Sequence, residues 1–382
     1  MGIDQKPLKA IRIRISLLFF FFGFTFASWA SRIPAIQQQL HLSDSGLGAV
    51  LLSMPVGSFL ALPFSGYLSS KFGSRKITII STFIYALLLA AIGFSQNTFQ
   101  ITIYLFLFGA AGNIVNIAIN TQALALESLY NKTIISSFHG MWSVAGLVAA
   151  SLGTYFIARS FPVSSHFLLI AIISMVCFLL CAPYLIHESV GPKENRPFFT
   201  KPDKALIGLG IIGFCSMICQ GAMFDWSGVY FKKVVVAQKT FIGFGYTAFM
   251  ISMTLVRFIT DWLTHRIGFK KIMILCGIST TAGLLIAVLF PFVLPATIGL
   301  FLVGVGVSPA VPLVFSAAGK IKILPAPVAI AAVSSIAMIG LLIGPPFIGF
   351  ISGLSSLKVS FLVLSFFGIA IVVTAFAGRW QH

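Results

Sequence analysis

Twelve long apolar runs follow one another along this chain, separated by short basic or polar stretches. Each run is close to the length of about 20 residues that a helix needs to cross a hydrocarbon core. In lipid every backbone donor and acceptor must be satisfied within the segment, so runs of this kind form helices. The pattern predicts spans at 15–37, 45–68, 76–95, 99–126, 134–158, 165–187, 205–230, 240–263, 270–291, 295–319, 325–352 and 356–378. The expected class is an all-α membrane protein. A water-soluble globule is excluded, because only 9% of the residues are charged where a soluble domain has about 25%.

A short basic loop recurs half a chain apart. The first copy runs from Gly66 through Lys71, Gly73 and Arg75 to Lys76, and the second from Arg257 through Asp261 and Gly268 to Lys271. Such repetition predicts a duplicated architecture of two pseudo-symmetric six-helix bundles, the usual build of transporters. The Pro-rich polar segment Glu188–Lys204 is the expected linker, cytoplasmic in this reading. It divides an N-terminal bundle, residues 1–187, from a C-terminal bundle, residues 205–382.

The net charge of +17 does not point to nucleic acid, because the basic residues sit in loops between apolar runs. Counted by loop, 18 of the 25 Lys and Arg fall on the side of the N-terminus, six on the other, and Arg257 within a span. The positive-inside rule then places both termini in the cytoplasm. The first run, preceded by Lys6, Lys9, Arg12 and Arg14, is expected to be an uncleaved span because similar runs follow it. Asn131–Thr133 matches a glycosylation pattern but falls on the cytoplasmic side in this topology. The five cysteines all lie in apolar runs and suggest small buried side chains, with neither a disulfide framework nor a metal site. No cofactor motif is present, and direct ATP use is not expected without a phosphate-binding Gly-x₄-Gly-Lys-Ser/Thr string.

The repeated loop, the six-plus-six layout and the central linker together resemble the major facilitator superfamily (MFS) over essentially the whole chain. Gly66, Leu68, Lys71, Phe72, Gly73, Arg75 and Lys76 match its loop between spans two and three, with Ser70 standing where the family usually has Asp. Asn120 with Glu127, the string Ser137–Ser143, the string Gly221–Ser227 and the Gly-Pro motif Gly340–Gly349 resemble the MosC-like branch, related to fucose-permease-like sugar transporters. Gln220 occupies a position where that branch would carry Glu. An Arg in span four and a Gly-Pro motif in span five, usual in drug–proton antiporters of the superfamily, are both missing.

The resemblance implies that spans one, four, seven and ten line a central cavity. Intramembrane polar residues there are candidates for substrate contact. Asn113, Asn116 and Asn120 share one helical face of span four, and their amides suit a hydroxyl-rich solute, though interhelical bonding is an equal use for Asn. Span one carries Thr25, Ser28, Trp29 and Arg32, and span seven carries Gln220, Asp225 and Trp226. Aligning the two tryptophans sets Ser28 opposite Asp225. Trp29 and Trp226 are candidates for stacking on a sugar ring or for anchoring at the membrane interface. Asp225 and His139 are the proton-coupling candidates, the alternatives being an ion pair with Arg32 or exposure to the outer vestibule for Asp225 and the fixing of a helix end for His139. Ser308, Pro309 and Pro312 interrupt span ten, as a kink or a break in the helix. Glu127, Arg257 and Asp261 are expected at a gate or loop anchor, together with Gly66, Lys71, Gly73, Arg75 and Gly268.

The expected function is secondary transport of a small polar solute, sugar, inositol or amino-sugar-like. It would proceed by rocking of the two bundles in a bacterial inner membrane, with proton symport as the default. The expected partners are the solute, protons and the bilayer, with the protein a monomer. An exporter of drugs or amphiphiles is one alternative. A non-transporting sensor is another, although it would be expected to carry a long polar extension. An intramembrane enzyme would need clustered catalytic groups such as His-Glu-x-x-His, which this sequence lacks.

Overall fold

The computed structural model describes residues 7–130, 134–186, 204–321 and 326–378. The first six long helices are α1 (Leu8–Gln39), α2 (Asp44–Phe72), α3 (Ser74–Gly93), α4 (Thr98–Tyr130), α5 (Ile135–Ala158) and α6 (Val163–Cys181). They are followed by α7 (Lys204–Lys233), α8 (Phe244–Ile267), α9 (Phe269–Leu289), α10 (Val293–Gly319), α11 (Ala326–Leu354) and α12 (Leu357–Ala377). All twelve are long and apolar enough to cross a membrane. No strand occurs among the described residues. Apart from Lys204, the expected linker lies outside the described residues, as does Asn131–Thr133.

The expected and observed helices differ mainly at their ends. Helix α1 starts at Leu8, well before residue 15, and both arginines of this added stretch have aromatic supports. Arg12 lies 5.7 Å over the Tyr130 ring and Arg14 4.9 Å over Tyr184. Their stems can then cover apolar surface while the charge stays at the edge. Helix α10 is continuous through Pro309 and Pro312.

The repeated loop folds the same way twice. Gly73 is the single residue between α2 and α3, and Gly268 the single residue between α8 and α9. Their φ/ψ angles are 81°/140° and 82°/156°. That region is essentially open to glycine alone.

The chain divides into two compact units, one of residues 1–40 and 50–194, the other of residues 41–49 and 195–382. In the first, α1 packs against α5, α6 and α4, while α3 packs against α4 and α6. In the second, α7 packs against α11, α12 and α10, while α9 packs against α10 and α12. Adding six to each helix number converts the first arrangement into the second. Glycines permit the tightest crossings in both. A Cβ on Gly57 of α2 would fall on the Phe106 carbonyl of α4, and one on Gly109 of α4 on the Met54 carbonyl of α2. In the second unit, Gly304 of α10 presses on Phe249 and Ser252 of α8.

Residues 41–49 belong to the second unit for a similar reason. A Cβ on Gly349 of α11 would lie 2.8 Å from the Cα of Gly48. Large apolar side chains such as Phe59, Phe64, Phe99, Leu179, Leu180 and Phe366 are exposed on the helix surfaces. Apolar surface on this scale suits a lipid surround.

Candidate functional site

Each unit carries its own buried polar group, on α1 in the first and on α7 in the second. In α1, Thr25, Ser28, Trp29 and Arg32 are all buried. The face carrying Thr25, Trp29 and Arg32 meets α6, which packs beside it. Thr25 Oγ1 donates to the Phe21 carbonyl at 2.7 Å and lies 3.3 Å from Ser174 Oγ. Further along, the Trp29 ring is 6.5 Å from Phe167. At the end of this seam Arg32 Nη2 donates to the Phe161 carbonyl at 2.5 Å. His166, fully buried at the start of α6, sits 4.7 Å edge-on to Phe156. The Arg32 charge acts on its ring. Among the described residues, no protein partner bonds Ser28 Oγ, Trp29 Nε1, Arg32 Nε and Nη1, or either nitrogen of His166.

The asparagines of α4 separate into two settings. Asn113 is buried and tied to α2, accepting from Ser65 Oγ at 2.7 Å and donating to Ser58 Oγ at 3.4 Å. Asn116 is exposed, and Asn120 donates to its side-chain oxygen at 2.9 Å and its carbonyl at 2.8 Å. The structure thus brings Asn116 and Asn120 together while α2 occupies the Asn113 amide. His139 is exposed on α5, its ring 5.3 Å edge-on to Phe19.

In the second unit the corresponding helix is α7, where Gln220, Asp225, Trp226 and Ser227 are all buried. Asp225 acts electrostatically on Tyr246, which comes from α8. The Tyr246 hydroxyl, Ser227 Oγ and Trp226 Nε1 have no protein partner among the described residues. Trp29 and Trp226 therefore share one setting, fully enclosed with an unanswered indole donor, and neither ring is exposed in this structure.

The loop and gate candidates lie at the helix ends. Gly66 and Lys71 are exposed, and Lys71 Nζ donates to Tyr67 Oη at 2.9 Å. Arg75 is half-buried in the first turn of α3. Glu127 accepts the Ile134 amide at 2.7 Å and so anchors the start of α5. Arg257 is half-buried within α8, while the Asp261 side chain lies outside the described residues.

Three residues in these arrangements escape a sequence reading. Gln122 is fully buried and donates to Ser74 Oγ at 2.6 Å and the Ile186 carbonyl at 3.0 Å, while accepting the Ile186 amide at 2.7 Å. The other two are His166 and Tyr246. The available signal is an ionisable or amide side chain within an apolar run, which in a membrane calls for a partner or a role. Among the described residues no group of three or more His, Cys, Asp or Glu is placed to hold a metal.

The sequence pattern of the Major Facilitator Superfamily matches residues 15–322. The chain belongs to this superfamily. It is 32% identical to an uncharacterized MFS-type transporter of Yersinia pestis, covering 94% of this chain and 92% of that protein. It is 28% identical to membrane protein MosC of Rhizobium meliloti, over 91% of this chain and 85% of MosC. Among solved structures, the nucleoside transporter NupG superposes with a TM-score of 0.76 at 14% identity, over 97% of this chain and 100% of that one. A point mutant of the E. coli fucose:proton symporter FucP superposes at 0.63 with 18% identity, over 97% and 99%. At such identities the superpositions establish the MFS fold alone. The chain is thus an integral membrane transporter of the superfamily, not an enzyme.

Proposed function

We propose that the chain carries a small polar solute, sugar, inositol or amino-sugar-like, by alternating access, and that a proton on Asp225 drives it. The observation behind this reading is the setting of Asp225. The carboxylate is buried in α7, has Tyr246 as its electrostatic neighbour, and has neither a cation nor a hydrogen-bond donor on it among the described residues. An acid held inside a membrane in this way marks a proton path or a solute site. The fold shared with a fucose:proton symporter lends support to a polar solute and to proton coupling. In the second unit Gln220, on α7 with Asp225, is the amide expected to meet solute hydroxyls; in the first, the Asn116/Asn120 pair is a separate candidate. A bacterial inner-membrane location with both termini in the cytoplasm, and a monomeric state, belong to the same reading. The orientation is supported by the placement of 18 of the 25 Lys and Arg on one side.

Purified protein in proteoliposomes under an imposed proton gradient tests the coupling. Asp225→Asn is expected to lose solute accumulation while keeping solute exchange. Unchanged accumulation removes Asp225 from the mechanism. The solute is sought first by thermal-shift screening of sugars, inositols and amino sugars, since a ligand that binds only the native state raises Tm. If an amphiphile stabilises the protein and no sugar does, the solute assignment falls.

A further inference from the structure

We propose that Arg32 and His166 form a recognition centre for a carboxylate borne by the transported solute. Arg32 is 3% exposed on α1 and uses one of its nitrogens on the Phe161 carbonyl. Its Nε and Nη1 donors meet no protein acceptor among the described residues. A guanidinium does not shed its proton inside a protein. A buried charge without a counter-charge is strongly destabilising. Among the described residues the first unit does not supply that counter-charge. Its only carboxylate among the described residues is Glu127, which is occupied by the Ile134 amide.

The neighbouring groups carry the same demand. His166 is fully buried, and aromatic rings flank it, Phe156 at 4.7 Å and Phe167 at 5.5 Å. Among the described residues both of its nitrogens are unanswered, as are the Trp29 indole and the Ser28 hydroxyl nearby on α1. The unanswered groups are mainly donors. Arg32 and Trp29 can only donate, while His166 and Ser28 can do either. Their natural complement is an acceptor-only group, which an ionised carboxylate is. The acceptor nitrogen of a neutral His166 suits a hydroxyl beside that carboxylate, so the class of solute is a hydroxylated organic acid. A purely structural arginine would instead be expected to have its donors filled by the protein around it.

This inference rests on the chain being a solute carrier and narrows the solute to one bearing an acid. It does not depend on Asp225, because its readout is equilibrium binding. The full-length protein in detergent is titrated at constant ionic strength with matched pairs: glucuronate against glucose, lactate against propane-1,2-diol, benzoate against benzamide. Sodium chloride is the control for a free inorganic anion. At least one carboxylate is expected to raise Tm saturably while its neutral partner does not. Arg32→Gln is expected to weaken the apparent affinity on the order of tenfold, and His166→Phe to weaken the hydroxylated acids more than benzoate. The proposal is overturned if no carboxylate outperforms its neutral partner, if chloride reproduces the whole effect, or if Arg32→Gln responds like the wild type. Should Arg32→Gln fail to fold, Arg32→Lys, which keeps the charge but loses the planar fork, takes its place, and an undiminished response there overturns the proposal equally.

Discussion

Lys233 Nζ lies 2.5 Å from Asp44 Oδ1, at the end of α7 and the start of α2 respectively. Ser352 of α11 donates to the other oxygen of the same carboxylate at 2.5 Å. Asp44 thus ties three helices at one point, and it does so in the first turn of α2, where negative charge is favoured by the helix dipole. The two partners are unequal, since Lys233 is largely in the open and Ser352 is buried. Asp44→Ala is expected to lower stability by about 1–2 kcal/mol. Lys233→Met is expected to cost less than about 1 kcal/mol, as exposed ion pairs do. Thermal unfolding of both variants and the double variant checks the ranking; equal losses from the two single changes would contradict it.

The glycines of the first basic loop are expected to respond oppositely. Gly66 lies inside α2, and a Cβ there would meet nothing within 4 Å. Gly66→Ala should be neutral or stabilising by about 0.5–1 kcal/mol through helix propensity. Gly73 and Gly268 hold φ of 81° and 82°. Alanine at either should cost about 1–3 kcal/mol in backbone strain, although a Cβ on Gly73 has open space around it. Tm measured for the three variants distinguishes strain from packing.

Gln122 makes three hydrogen bonds from a fully buried amide, linking α4 to Ser74 at the start of α3 and to the Ile186 backbone after α6. Gln122→Ala removes all three bonds from a buried site and is expected to cost about 2–3 kcal/mol. Gln122→Glu keeps the volume but replaces the amide donor with an acceptor facing the Ile186 carbonyl, and should be at least as damaging. Both effects are read as a loss of Tm and of yield in detergent.

The α2–α4 crossing should tolerate no added carbon. Alanine at Gly57 or Gly109 would place a methyl group against a main-chain carbonyl of the facing helix. Relief requires the helices to separate, because backbone cannot rotate away as a side chain can. Each variant is expected to lose more than about 2 kcal/mol, and the pair to be less than additive since one separation relieves both. Unfolding of single and double variants tests this.

Much of the fold was visible in the sequence because apolar run length and glycine placement act locally. The twelve spans depend on nothing outside their own segments, and so does the glycine at each basic loop, although the spans at 45–68 and 76–95, and at 240–263 and 270–291, left several residues where the structure has one. The ends of helices were less legible. Helix α1 reaches back to Leu8, and the groups that receive Arg12 and Arg14 there, Tyr130, Ser137 and Tyr184, lie far along the chain. The polar sites show the same limit. Helical spacing places Asn113, Asn116 and Asn120 on one face, but it does not reveal that Ser58 and Ser65 of α2 engage the first of them. His166 and Gln122 are single polar letters in apolar runs, and their partners are fixed by packing between helices rather than by spacing within one.

A junction of one residue also fixes a phase. With 3.6 residues per turn, one residue absorbed into the helix beside such a junction shifts the phase of everything downstream, relative to that junction, by about 100°. An insertion beside Gly73 would swing the buried row Ile77, Ser81, Tyr85 and Leu89 of α3 out of its contacts. An insertion beside Gly268 would do the same to Ile272, Met273, Cys276 and Thr280 of α9. Among homologous chains these two places should therefore keep their length while the turns at the opposite helix ends lengthen and shorten, leaving two fixed points from which each half of the molecule is numbered.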